Sequence, residues 1–197
     1  MELDQVIMER RSVRRFKKLA VPWFIVSSCL DAAVHAPSSG NVQNWRFVVV
    51  QKKENREKII KACSEHYWML DAPVLIAVIS DLEKIRKLFG IRGEALYAVQ
   101  NCAAAIENLL LKAAELGLGA TWIGDFDEQK IMEILKIKDE RRPQAIIALG
   151  YGEDFEKKST REPLDNFVYF EEWDKREDKE RGKLTPVADL LRKVLKK

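Results

Sequence analysis

Gly117-Leu118-Gly119-Ala120-Thr121-Trp122-Ile123-Gly124 starts like a dinucleotide-binding fingerprint, and its reading decides the fold. It lacks the third glycine, and its order is reversed. That fingerprint must follow a strand and open a helix. Here a long apolar helix precedes the glycines and a short strand, Ala120 to Ile123, follows them. A doubly wound nucleotide fold is therefore excluded at this position. The upstream helix is expected over residues 92–116. Ala95, Val99, Cys102, Ile106, Leu109, Leu110 and Ala113 give it a broad apolar face, so it should be central and packed on more than one side.

Outward from there the chain alternates helical and apolar extended segments. A first helix is expected over 2–9, with Leu3, Val6 and Ile7 at helical spacing, and a second over 23–36 after Pro22. Buried strands are expected at Trp45 to Val50, Val74 to Ile79 and Ala145 to Leu149, and surface helices at Lys53 to Ala62 and Glu128 to Leu135. This alternation means α/β or α+β, and strand order does not follow from it. The run Phe167-Val168-Tyr169-Phe170 is β-prone with no neighbour in sequence to pair with, the pattern of an arm that completes a sheet elsewhere. Residues 174–183 are nearly all charged. Thr185 and Pro186 then open an amphipathic helix with Val187, Leu190, Leu191, Val194 and Leu195 on one stripe. The expected division is a domain over 1–173 and a charged linker with a terminal helix over 174–197.

Composition narrows the function. With 34 basic against 31 acidic residues, the net charge of +3 is too small for a dedicated nucleic-acid binder. No apolar run reaches the ~20 residues that span a bilayer, and the acidic start is no signal peptide, so a cytoplasmic protein is expected. Cys29, Cys63 and Cys102 are odd in number and far apart, and read as small buried residues. With only His35 and His66, neither a hydrolytic triad nor a metal-ligand spacing emerges. His35 reads as a helix cap. If the chain is an enzyme, a cofactor carries the chemistry.

One stretch is unusually basic: Arg10-Arg11-Ser12-Val13-Arg14-Arg15, closed by Phe16. A helix C-terminus accounts for one or two cations, not four. Two readings stand, a solvated basic turn and a compact anion site built from Arg forks and a Ser hydroxyl.

Four stretches together resemble the FMN-dependent nitroreductase family over roughly residues 3–173. They are Arg10 to Phe16; Ala36-Pro37-Ser38-Ser39-Gly40-Asn41-Val42-Gln43-Asn44-Trp45; Gly117 to Gly124; and Arg161-Glu162-Pro163-Leu164. The resemblance implies an α+β sandwich with a central mixed sheet flanked by helices, and a homodimer that exchanges its C-terminal arm. It implies FMN in a slot between subunits, reduced by NADH or NADPH, with a nitroaromatic, quinone or related small molecule as acceptor. No side chain would be catalytic in its own right. The implied cofactor-binding set is Arg10, Arg11, Ser12, Arg14, Pro37, Ser38, Ser39, Asn41, Gln43, Trp122, Ile123, Gly124 and Arg161. Arg10, Ser12 and Arg161 would hold the phosphate, and Arg14 would face the O2/N1 edge of the ring. Pro37, Ser38, Ser39 and Asn41 would come from the other subunit, and Trp122 to Gly124 would lie near N5 and O4.

Departures from the family pattern are Asn44 in place of a proline, Ser159 in place of a second late basic residue, and the aromatic run Glu65-His66-Tyr67-Trp68-Met69, which suggests a pocket lid. Alternatives are the same fold used for reductive dehalogenation or flavin fragmentation, or a non-enzymatic protein binding RNA or an acidic partner through its basic arm.

Overall fold

The computed structural model describes residues 2–64, 66–153 and 160–175. Its centre is β2 (Val74–Asp81), buried along its whole length. β1 (Trp45–Val50) pairs with one edge of β2 and β4 (Arg141–Gly150) with the other, and β3 (Gly119–Ile123) pairs with β4, giving the order β1-β2-β4-β3. A strand flanked on both sides and covered on both faces favours apolar side chains throughout, which explains the unbroken run Val74 to Ile79; the buried Ser80 and Asp81 at its end have hydrogen-bonding partners.

Side chains alternate between two cores, as a period of two requires. Val74, Ile76, Val78, Ala145, Ile147 and Leu149 face α2 (Trp23–Val34) and α5 (Ala98–Glu115). Leu75, Ala77, Ile146 and Ala148 face Ile59 and Ile60 of α3 (Lys53–Ala62) and Ile131 of α6 (Glu128–Leu135). The result is a helix–sheet–helix sandwich of the expected α+β class.

The sheet was expected to be mixed. Its ladders are all antiparallel, and the parallel pairing among the described residues is the isolated bridge Ser12↔Ala120. Strand direction is set by how each connection packs back on the sheet, which the strand patterns do not encode. The long helix expected over 92–116 opens with a π-helical turn, Gly93–Tyr97, and continues as α5 with helical backbone angles across both joins. α4 (Leu82–Arg92), absent from the sequence reading, precedes it and is broken at Gly90, where φ is 58° and ψ −148°. A Cβ at Gly93 would lie 2.7 Å from the Phe89 Cβ and 2.8 Å from the Ile85 carbonyl oxygen, so this close approach to the end of α4 needs glycine there. β4 starts earlier than Ala145 because Pro143 sits beside the register shift at Val78/Ile79, where a missing donor is tolerated.

Phe167–Phe170 forms no strand with any described residue; it is a turn and irregular chain after the 3-10 turn Leu164–Asn166. A lone extended segment without a ladder partner has nothing to hold it straight. The charged segment from 176 onward and the terminal helix lie outside the described residues.

Candidate functional site

The basic stretch begins at the end of α1 (Leu3–Glu9), where Arg10 is the C-cap and its N–H donates to the Val6 carbonyl at 2.9 Å. The Arg10 Nε lies 3.3 Å from Glu107 Oε1, an ion pair that ties this corner to α5. From there the arm runs along the open edge of β3. Ser12 bridges Ala120, and Val13 is clamped by Thr121: the Val13 N–H donates to Thr121 Oγ1 at 2.9 Å, and that hydroxyl donates to the Val13 carbonyl at 2.6 Å. Gly119 makes the approach possible, since a Cβ there would sit 2.7 Å from the Val13 Cβ.

Val13 and Phe16 point inward and are buried, so Ser12, Arg14 and Arg15 point outward and are exposed. Beyond them Phe16 bridges Gly152 and stacks on Trp68 with ring centroids 6.4 Å apart, and the Lys17 N–H donates to the Tyr151 carbonyl at 2.8 Å. Two stretches 108 residues apart in sequence are thus joined. Two residues beyond the Ser12–Ala120 bridge, each segment reaches an exposed side chain, Arg14 on one and Trp122 on the other. Ile123 is buried; Gly124 is exposed at the strand's end.

Gly117, just before β3, and Gly119, its first residue, have structural duties. Gly117 takes φ +76° after α5, with the Leu118 N–H donating to the Ala113 carbonyl at 2.8 Å and the Gly117 N–H to the Ala114 carbonyl at 3.0 Å. That is a Schellman cap. The glycines therefore link a helix to a following strand, the reverse of a nucleotide fingerprint's order. Beside it, a groove of about 220 Å³ is lined by Glu9, Arg10, Arg11, Val13, Leu110 and Gly117, among others.

The Pro37–Gln43 loop is built elsewhere. It leads into β1, whereas the arginine arm flanks β3, and the three strand spacings between those edges span roughly 14 Å. The loop is anchored on α5: the Ser39 N–H donates to Asn101 Oδ1 at 3.0 Å. Gly40, Asn41 and Gln43 all have positive φ, and Gln43 Nε2 donates to Asn41 Oδ1 at 2.8 Å. Pro37, Asn41 and Gln43 are exposed, and Ser38 and Ser39 are half-buried.

Arg161 is exposed in the segment 160–175; Lys157, Lys158 and Ser159 lie outside the described residues. The expected lid is only partly surface. Trp68 and Met69 pack into the α3–α6 core, which leaves Tyr67 as its exposed ring; Glu65 is outside the described residues. The sequence reading gave no structural role to Thr121, Asn101, Asn44 or Glu107. Thr121 and Asn101 are polar residues that interrupt apolar runs, a signal for a buried partner that does not name it, whereas Asn44 is hidden in a polar loop.

Burial pushes the thiol of Cys29 up to about 11 and those of Cys63 and Cys102 up to about 12, which makes all three inert. Among the described residues no His, Cys, Asp and Glu group could hold a metal ion. His35 is the C-cap of α2, with its Nδ1 2.8 Å from the Asp31 carbonyl oxygen.

The chain matches the family model described as "Nitroreductase family" over residues 7–68 and 63–151. A relative from Methanothermobacter thermautotrophicus, whose name pairs NADH dehydrogenase with NAD(P)H nitroreductase, is 34% identical over 180 residues, covering 88% of each chain. An iodotyrosine deiodinase from Thermotoga neapolitana is 25% identical over 177 residues, covering 77% of this chain and 89% of its own. Among solved structures, an FMN-dependent nitroreductase from Clostridium difficile R20291 superposes with a TM-score of 0.73 at 27% identity, covering 85% of this chain and 98% of its own. Its sandwich fold, the arginine arm beside β3 and this breadth of sequence match agree, and the chain belongs to the nitroreductase family of oxidoreductases.

Proposed function

We propose that this protein is an FMN-dependent oxidoreductase that takes electrons from NADH or NADPH and passes them to a small-molecule acceptor such as a nitroaromatic or a quinone. The observation that carries the reading is the Val13–Thr121 clamp, which lays Arg10 to Arg14 along β3 beside Trp122 to Gly124. FMN supplies the redox chemistry, accepting a hydride equivalent from the nicotinamide and yielding it to the second substrate.

The donors suit that cofactor. Arg10, Arg11 and Ser12, with Arg161, offer forks and a hydroxyl to a phosphate. Arg10 engages Glu107 through Nε, and its two Nη groups are the ones that would reach an anion. Arg14 would place a fixed cation at the pyrimidine edge, and the backbone of Trp122 to Gly124 would line the ring. Buried Val13 and Phe16 hold that arm from beneath.

One chain supplies only part of the slot. The groove of about 220 Å³ at Arg10 and Arg11 is smaller than the ~300 Å³ and upward of a small-molecule site. We therefore assign Pro37, Ser38, Ser39, Asn41 and Gln43 to the flavin of a second copy in a homodimer. The exposed apolar side chains Trp23 and Phe24 on α2 and Leu88 and Ile91 on α4 support such an interface. Residues 1–173 form the flavin domain in this reading, with 174–197 as its appendage. No helix among the described residues is long and apolar enough to cross a membrane, and we place the protein in the cytoplasm without a nucleic-acid partner.

Purification and FMN titration test the reading. A yellow protein binding one FMN per chain, bleached anaerobically by NADH or NADPH and recoloured by a nitroaromatic or quinone, is expected. A folded protein that takes up no FMN overturns it. The deiodinase relative favours a second reading, reductive dehalogenation at the same site, which halide release from an iodinated phenol would reveal.

A further inference from the structure

Four polar side chains form a line through the core beneath the Ser38–Gln43 loop. Asn44 is completely buried, and its Nδ2 lies 2.7 Å from Ser80 Oγ and 3.5 Å from the Ala98 carbonyl oxygen. A carbonyl only accepts, so this end of the amide is the NH2 group. Asn44 Oδ1 therefore faces Asn101, whose Nδ2 donates to it at 2.7 Å. That turns Asn101 Oδ1 toward Ser39, where it accepts from the backbone N–H at 3.0 Å and from the hydroxyl at 3.3 Å. The Ser39 N–H can only donate, so both ends of the line demand the same amide orientations.

The line ends on a strained loop. Asn41 and Gln43 hold left-handed φ values of 54° and 47° without being glycine. Such strain persists where the surroundings over-determine it, and it clusters at functional sites. The bonds inside the loop, from the Gln43 N–H to Ser38 Oγ and from Gln43 Nε2 to Asn41 Oδ1, move with it and cannot place it. Burial of Val42 against Ile85 and Ala98 sets its depth, and Asn101 sets its orientation.

We infer that Asn44 and Asn101 are a pair of positioning residues that hold this loop in its strained shape and set its polar groups toward the flavin. The inference rests on the flavin reading above. Asn44 stands where the sequence departs from the family's proline, and it supplies the acceptor that turns Asn101.

Full-length Asn101→Ala, Asn44→Ala and the double variant, each followed by amide hydrogen exchange and FMN titration, provide the test. In Asn101→Ala, exchange across residues 38–43 should accelerate at least tenfold while α5 between 105 and 113 stays protected. FMN Kd should rise at least tenfold, and the visible band of the FMN-saturated protein should shift, which general destabilisation would not cause. Asn44→Ala should move all three readouts in the same direction but less. The double variant should lose no more than twofold beyond Asn101→Ala, because Asn44 acts through Asn101.

Should Asn101→Ala fail to fold with the Asn44 amide orphaned, the double variant leaves neither amide unpaired and carries the same expected changes relative to wild type. Unchanged loop exchange, an unchanged FMN Kd or band, or multiplied losses in the double variant overturns the inference. A wild-type chain that takes up no FMN sinks the flavin reading instead, and the exchange result still decides whether the pair holds the loop.

Discussion

Replacing Thr121 by valine should loosen the arginine arm without changing the shape of the core. Thr121 is 4% exposed, and its hydroxyl makes both bonds that clamp Val13. Each bond contributes ~0.5–1.5 kcal/mol net, and a buried group left without a partner costs ~1–3 kcal/mol. After Thr121→Val, the Val13 N–H keeps the Ala120 carbonyl at 3.3 Å, whereas the Val13 carbonyl loses the hydroxyl that served it. A loss of about 2–4 kcal/mol follows. For a chain of this size each kcal/mol moves Tm by ~2–4 °C, so Tm should fall by about 5–15 °C. The arm stays attached, since burying Val13 and Phe16 is worth ~1.5–3 kcal/mol each. Its arginines are no longer held in register with Trp122, and FMN affinity should fall as well. Thr121→Ser keeps the hydroxyl and loses one methyl, about 0.8 kcal/mol, and should retain the FMN affinity. Thermal unfolding at one fixed protein concentration, paired with FMN titration, gives both readouts. A Thr121→Val protein melting within about 2 °C of wild type, or a serine variant as impaired as the valine one, refutes the clamp.

Arg10→Ala and Arg161→Ala should each weaken FMN binding by ~1.5–3 kcal/mol, the range for a hydrogen bond to a charged group, and spare riboflavin, which has no phosphate; an equal loss for riboflavin removes them from the phosphate site. Arg14→Ala should lower the two-electron midpoint potential of bound FMN by ~30–60 mV, taking 30 mV as about 1.4 kcal/mol, while Arg14→Lys keeps most of it. Spectroelectrochemical titration of the fully loaded variant reads this, and an unchanged potential places Arg14 outside the site. The three cysteines should resist a thiol reagent at mild alkaline pH in the native protein and react after denaturation; rapid native labelling contradicts their burial. Burial holds their folded pKa values, about 11 and 12, above the ordinary thiol value of 9.0. The unfolded chain thus releases thiol protons first, and stability from these groups, complete below pH 9, is lost as pH rises toward 11 to 12. Denaturant melts across that window should show the decline, and a flat profile would contradict it.

Local pattern was legible wherever the physics is local. The strand Trp45–Val50 and the helices Lys53–Ala62 and Glu128–Leu135 have the residues read from the sequence, because apolar period and capping act over a few residues. The reversed order around Gly117 excluded a nucleotide fold for the same reason, and the basic stretch stood out by composition while leaving a solvated turn and an anion site both open. Tertiary structure alone decided strand order, the antiparallel ladders and the π-helical opening of the long helix, since each depends on what packs against what. It also decided which polar residues matter. Thr121 and Asn101 look like interruptions of apolar runs until Val13 and Ser39 are brought to them, and hydrogen-bond partners 108 and 62 residues away leave no mark on local sequence.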